Sequence, residues 1–342
     1  MIEIKETTID KLIFHKISSN DNLSVVNDKL YEYEKEEEEA VLRDIFLKPF
    51  LSQSSTYEFK HDIGLDLNPL FQLSKDIYNG ENLVDKSKDI FTHLKTVSKH
   101  PNIKDGDLFV VKYEDVLFNN GYYEAVGIYK IENRENFIEI EKDSHGKNVL
   151  KFKQGIGNRK LDKACLILFT DKPYTILIID NANKDTEYWI EDFINAKLKN
   201  DFVNNTSQFL QLTRHFVTDR LPQTNPNISK ADQIDLLNKS VKFFKEKDNF
   251  DLKEFTNEVM EDPDVIKSFK KYKTTFEQDF DMDIADNFTI SESAVKKQAR
   301  TLKSVIKLDK NFHIYIHGNR NLIEQGEDKK GKFYKVYYQE EN

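Results

Sequence analysis

Leu108-Phe109-Val110-Val111-Lys112-Tyr113-Glu114-Asp115-Val116-Leu117, followed by Asn119-Asn120-Gly121 and then Tyr122-Tyr123-Glu124-Ala125-Val126-Gly127-Ile128-Tyr129-Lys130-Ile131, is the stretch that decides the fold. Both arms are rich in β-branched and aromatic residues, and the Asn-Asn-Gly between them is a turn signal, so the spacing predicts a β-hairpin. Four further short runs, at 137–140, 149–153, 164–169 and 174–179, continue the pattern with polar turns between them. An antiparallel meander is expected over the middle of the chain, with the preceding helices covering one face.

Upstream of the hairpin the period is helical. The Glu36–Glu39 run leads into a helix whose face holds Val41, Leu42, Ile45 and Phe46, with Pro49 at its end. Asn68-Pro69 reads as an N-cap followed by proline at the first helical position, and Asn79-Gly80 as the stop. A third helix, about 83–99, sets Leu83, Ile90, Leu94 and Val97 on one face before His100-Pro101. Downstream, Trp189 and Phe193, then Phe202, Phe209, Leu212 and Phe216, mark helical segments. The Pro/Asn-rich stretch 221–228 is the expected linker, dividing the chain into 1–220 and 229–342. Beyond it Ser229 caps a helix bearing Ile234, Leu237, Val241 and Phe244. Asp251 with Glu254 and Asp262-Pro263 start two more helices, and strands are expected at 312–316 and 333–338.

Composition bounds the function. The chain has 342 residues, 38% hydrophobic and 32% charged, with 25 Phe and 15 Tyr, enough for about two packed domains and too many for wholesale disorder. No run reaches the ~18 apolar residues of a membrane span, and Met1-Ile2-Glu3-Ile4-Lys5-Glu6 has no basic region leading into an apolar one. The single cysteine, Cys165, forms no intramolecular disulfide and sits in an apolar run, which fits packing in a reducing cytoplasm. With 51 basic and 60 acidic residues the net charge is −9, so nucleic-acid contact needs a local patch.

Two such patches stand out. On a helix expected over 293–307, Lys296, Arg300, Lys303 and Lys307 recur at helical spacing as one stripe, beside a second stripe of Val295, Ala299, Leu302 and Ile306. Such a surface fits backbone phosphates, with Lys297 and Arg320 extending it; the alternative is a solvated face whose side chains snorkel over the core. Lys151, Lys153, Arg159, Lys160 and Lys163 cluster around Gly155-Ile156-Gly157. That pair of glycines lacks the third glycine of a dinucleotide fingerprint and the Lys-Ser/Thr ending of a P-loop, so a turn between strands is expected. His313 and His317 flank a strand, too far apart for comfortable chelation. No nucleophile constellation, cofactor motif or metal set is visible. A metal-dependent nuclease is carried as a weak alternative on Glu58-Phe59-Lys60 and Asp180.

The order of segments, with Val41-Leu42-Arg43-Asp44, Ser98-Lys99-His100-Pro101 and Lys160-Leu161-Asp162-Lys163-Ala164-Cys165-Leu166-Ile167, resembles the bacterial nucleoid-associated protein family of the NdpA (YejK) type. Leu308-Asp309-Lys310-Asn311-Phe312 and Lys332-Phe333-Tyr334-Lys335 resemble the ending of its Bacteroidetes-like form. The resemblance implies a cytoplasmic protein found with the folded chromosome, touching DNA or proteins bound to it, with no established catalytic residue. Where some relatives carry a Gly/Arg-rich basic segment, this chain reads Asn195-Ala196-Lys197-Leu198-Lys199-Asn200-Asp201.

The expectation is an α+β protein with a mixed amino-terminal domain holding the sheet and a mainly helical carboxy-terminal domain closed by a hairpin. Its function is expected to be non-enzymatic contact with double-stranded DNA in the nucleoid, without base readout. The alternative is an adaptor recruited to the chromosome by a protein partner.

Overall fold

The central hairpin forms as β4 (Gly106–Phe118) and β5 (Gly121–Ile131), paired antiparallel from Asp107↔Ile131 to Phe118↔Gly121. Asn119 and Asn120 both take left-handed φ values, 47° and 68°, the turn whose twist matches that of the strands it joins. The computed structural model describes residues 2–157, 160–181, 188–280, 282–302, 305–308, 310–316 and 320–340, with no side-chain description of Glu36. They form two compact units, Met1–Lys199 and Asn200–Asn342.

In the first unit β1 (Ile2–Glu3) and β2 (Thr8–Ile17) lie along β4, and β5 pairs with β8 (Lys163–Leu168). The sheet continues through β9 (Thr175–Asp180), β3 (Tyr57–Phe59) and β10 (Ala196–Leu198), eight strands in all. β6 (Glu135–Lys142) and β7 (Asn148–Gly155) pair only with each other. The expected meander is therefore interrupted: β6–β7 is a two-stranded ribbon inserted between β5 and β8. The reason lies in side-chain alternation, since β8 and β9 are apolar on both faces and complete the buried sheet, whereas β6 and β7 alternate apolar with charged residues.

The sheet is covered on both faces rather than one. Helices α2 (Pro69–Tyr78) and α3 (Leu83–Val97) pack Leu70, Phe71, Ile90 and Leu94 on a face with Val110, Ile128, Cys165 and Ile176. Helix α1 (Glu36–Phe46) and the turn after it bring Phe46, Leu47 and Phe50 to the opposite face, against Val111, Tyr129, Leu166 and Leu177. Val41, expected inward on α1, is exposed. Asn68 caps α2 by accepting from the Phe71 amide at 2.9 Å, and Gly80 follows that helix at φ 91°. Burial pushes the Cys165 thiol pKa up, consistent with packing.

The second unit begins with α4 (Phe202–His215), which runs through Phe216–Arg220 into α5 (Leu221–Thr224). It continues with α6 (Lys230–Glu246), β11 (Asn249–Asp251), α7 (Leu252–Phe255), α8 (Pro263–Asp279), β12 (Asn287–Thr289) and α9 (Glu292–Ala299). Two hairpins end it: β13 (Val305–Leu308) with β14 (Phe312–Tyr315), and β15 (Ile323–Asp328) with β16 (Gly331–Val336). Phe209 lies amid Phe250, Phe255, Phe269 and Phe244, at ring distances of 4.2, 5.0, 5.8 and 5.8 Å. A satellite cluster of Ala231, Ile234, Ile306, Ile316 and Ile323 seats the hairpins on α6.

The units meet in sequence at Lys199/Asn200, ahead of the stretch 221–228 expected as linker. Leu221 is 1% exposed and shares a core with Phe209, Leu212 and Phe216, so the apolar face begun in α4 runs through it. Pro222 lies in α5, directly after the wider helical turn Phe216–Arg220.

Candidate nucleic-acid interface

The basic stripe expected on one helix is split between two elements. Helix α9 stops at Ala299, Arg300 is its C-cap, and Val305-Ile306-Lys307-Leu308 is strand β13. The Thr301 hydroxyl donates to the Gln298 carbonyl at 2.8 Å as the helix closes. Beyond it the β-branched Val305 and Ile306 gain ladder partners in Tyr315 and Ile314. The apolar stripe is still buried at Val295, Leu302 and Ile306, but by helix, turn and strand in succession. Lys296 is exposed on α9 with Glu292 at 3.5 Å, Lys297 is exposed on the same helix, and Lys303 lies outside the described residues.

Of the stripe, Lys307 enters a concave site. A groove of about 980 Å³ in the second unit is lined by Lys239, Lys242 and Lys245 of α6 together with its Asp235 and Glu246, by Lys307 of β13, and by His313 and Tyr315 of β14. The register explains the convergence: Lys307 pairs with His313 and Val305 with Tyr315, so these four share one face of the hairpin, while Ile306 and Ile314 point to the opposite face and its satellite core. Lys239 is held by Glu261 at 2.8 Å and Asp235 at 3.3 Å, and Lys242 has Glu246 at 3.9 Å. Among the described residues Lys245 and Lys307 have no ion-pair partner, and both are exposed. Sequence reasoning followed the apolar face of α6 and passed over Lys239, Lys242 and Lys245; their spacing of three was the available signal.

The other expected residues are placed elsewhere. The Arg320 Nε donates to Asp232 Oδ1 at 2.6 Å, its Nη2 to Ser229 Oγ at 3.3 Å and its Nη1 to the Ile323 carbonyl, which ties the last hairpin to the capping box of α6. Lys153, on the β6–β7 ribbon, bonds Glu141 at 2.9 Å and also pairs with Glu139, while Lys151 lies 3.1 Å from Glu141. Lys163 is 1% exposed, 2.7 Å from Asp180, and Lys160 is exposed in the loop before β8. Arg159 and His317 lie outside the described residues. The basic cluster around Gly155 is thus largely ion-paired.

A second cavity, about 490 Å³ in the first unit, is also lined by lysines, Lys95, Lys99, Lys104 and Lys130. Three of them are engaged: Lys95 with Asp21, Lys104 with Asn133 Oδ1 at 3.1 Å, and Lys130 with Glu132 at 2.6 Å. Burial pushes the Lys130 pKa down, against the pull of Glu132.

The nuclease residues do not converge. Tyr57 pairs with Ile176 antiparallel, so Glu58 and Lys60 lie toward the Tyr174 end of β9 and Asp180 at the other, roughly 17 Å from Glu58 at about 3.4 Å per residue. Glu58 pairs with Lys197 at 3.4 Å and Lys60 with Glu191 at 2.8 Å. Among the described residues no group of three or more His, Cys, Asp or Glu is arranged to hold a metal ion, and no helix is long and apolar enough to cross a membrane. The stretch 195–201 holds edge strand β10, with Lys197 on Glu58 and the Lys199 Nζ donating to the Thr175 hydroxyl at 2.8 Å.

The fold and groove define an α+β protein with an antiparallel-sheet unit and a mainly helical unit that carries a lysine-lined concavity. A family model described as nucleoid-associated protein YejK matches residues 13–334, and the chain belongs to that family. Comparison with curated proteins and with solved structures returns no match.

Proposed function

We propose that the chain is a non-enzymatic nucleoid-associated protein that contacts the backbone of double-stranded DNA through the groove of its second unit. The observation that carries this reading is the convergence of Lys242, Lys245 and Lys307 on one concave surface, with two of the three free of carboxylate partners among the described residues. A chain of net charge −9 gains DNA affinity only where cations are locally unneutralised, and a patch of lysines without base-edge donors in fixed forks positions the duplex without reading its sequence. Arg320, Lys153 and Lys163 are left out of the phosphate set because their charges are already satisfied within the protein.

Affinity for mixed-sequence duplexes, measured as a function of salt, tests it. Three phosphates neutralised give a slope of log affinity against log salt of about −2.7. Reversing Lys245→Glu and Lys307→Glu together should flatten the slope by about 1.8 and weaken binding equally on all sequences. No binding at low salt, or an unchanged slope in the folded double variant, transfers the chromosome association to a protein partner and makes the chain an adaptor. A pull-down that keeps its partner after nuclease treatment identifies that case.

A further inference from the structure

The β6–β7 ribbon carries an apolar face that no described element covers. The register pairs Ile138 with Phe152 and Ile140 with Leu150, placing all four on one side, at 57%, 79%, 67% and 61% exposure. The other side holds Glu139, Glu141, Lys151 and Lys153, which neutralise one another through ion pairs. A lone two-stranded ribbon is marginally stable in water, and this one keeps its larger side chains in solvent.

We propose that this apolar face is the seat of a second copy of the same chain, the two ribbons packing face to face about a two-fold axis. Three features select that occupant. Residues 135–155 contain four acidic residues, Glu135, Glu139, Glu141 and Asp143, and four lysines, Lys142, Lys147, Lys151 and Lys153, so the ribbon is neutral and offers no field to DNA. The face is self-complementary: a two-fold axis between its rungs sets Ile138 and Phe152 of one copy against Ile140 and Leu150 of the other. It also sends the two Lys142 side chains to opposite ends, each beside the partner copy's Asn136 and Gln154, so like charges are kept apart. Finally, the open fractions leave roughly 400 Å² of apolar surface per copy, within the ~300–600 Å² of the largest and often functional patch on a monomer. Two such faces remove about 800 Å² before the polar rim is added, which brings the contact to the ~1,000 Å² that a specific interface needs. The proposal does not rest on the groove of the second unit.

Sedimentation velocity of the full chain over a range of concentrations tests it. The expected result is a reversible dimer that is lost in Ile138→Lys/Phe152→Lys, with circular dichroism unchanged because both side chains are exposed in the single copy, and with a melting temperature that matches wild type at concentrations where wild type is monomeric. Leu150→Cys/Phe152→Cys supplies an independent readout: Cys165 is buried, and the axis sets position 150 of one copy against position 152 of the other, so mild oxidation should yield a disulfide-linked dimer. A wild-type chain that stays monomeric throughout overturns the proposal and leaves the face to a different protein. A dimer that survives the two lysine substitutions, with no cross-linking between positions 150 and 152, overturns it as well.

Discussion

Two hairpins of this protein share an alternating pattern and differ in what lies against them. In β13–β14, Ile306 is 2% exposed and packs with Ala231, Ile234 and Ile316, while Lys307, His313 and Tyr315 face the groove. In β6–β7 the equivalent apolar pairs, Ile138 with Phe152 and Ile140 with Leu150, face solvent. Alternation fixes which side chains share a face; it does not say whether the apolar face meets its own chain or something else. Where the cover is internal, the charged face is left to line the groove. Where it is lacking, the charged face neutralises itself and the apolar face is the one available to a partner.

The largest effect expected from this contrast comes from truncation. A chain beginning at residue 200 should fold, keep the satellite core and protect the Ile306 amide from exchange. One beginning at 221 loses Phe209, Leu212 and Phe216 from the core of the unit, so α6 is no longer a seat for the hairpin. Hydrogen exchange and circular dichroism on the two fragments decide it, and equal protection in both would show that β13–β14 does not depend on that core.

A smaller effect separates the ribbons directly. Ile306→Ala should cost about 2–5 kcal/mol in urea unfolding, as large-to-small changes at buried aliphatic sites do. Phe152→Ala should stay within about 0.5 kcal/mol in the monomer, as exposed substitutions do. Similar losses for both would erase the distinction.

The smallest effect is electrostatic. Asp232, on α6 beneath the last hairpin, and Glu141, on β6–β7, both have a lowered pKa. At Asp232 burial pushes upward but is outweighed by hydrogen bonds from Ser229 and Arg320; at half-buried Glu141 the causes are hydrogen bonds from Lys153 and then Lys151. A carboxylate depressed in the folded state contributes stability above its unfolded pKa of about 4 and loses it as pH falls through the folded value. High salt should return Glu141 toward an ordinary carboxylate value and leave Asp232 depressed, because the lysines on Glu141 are exposed and screened, whereas Asp232 is held by the half-buried Arg320 and by uncharged Ser229 donors. Carboxyl carbon shifts followed through an acid titration at low and high salt measure both.

Much of the fold was legible in particular residues. Asn119-Asn120-Gly121 announced the central hairpin, Asn68-Pro69 the start of α2, and Ser229 with Asp262-Pro263 the starts of α6 and α8, because caps and turns are local chemistry. The candidate site was only partly legible. Lys307 was named, but on a helix, since Val295, Ala299, Leu302 and Ile306 keep helical spacing across a chain that changes from helix to strand between them. Lys239, Lys242 and Lys245 gave no sign of meeting Lys307, because they lie more than sixty positions upstream and only the folding of the hairpin onto α6 brings the two stretches together.

The sequence by itself determined the antiparallel sheet, the helix starts, the burial of Cys165 and the membership of the nucleoid-associated family, all of which rest on neighbouring residues or on the order of segments. Tertiary structure alone decided that the sheet is covered on both faces, that the division between the units falls in sequence at Lys199/Asn200, and which lysines remain free among the described residues. The physical reason is that a side chain's charge and apolar area are intrinsic to it, whereas its neutralisation and burial depend on residues far along the chain that only packing brings near.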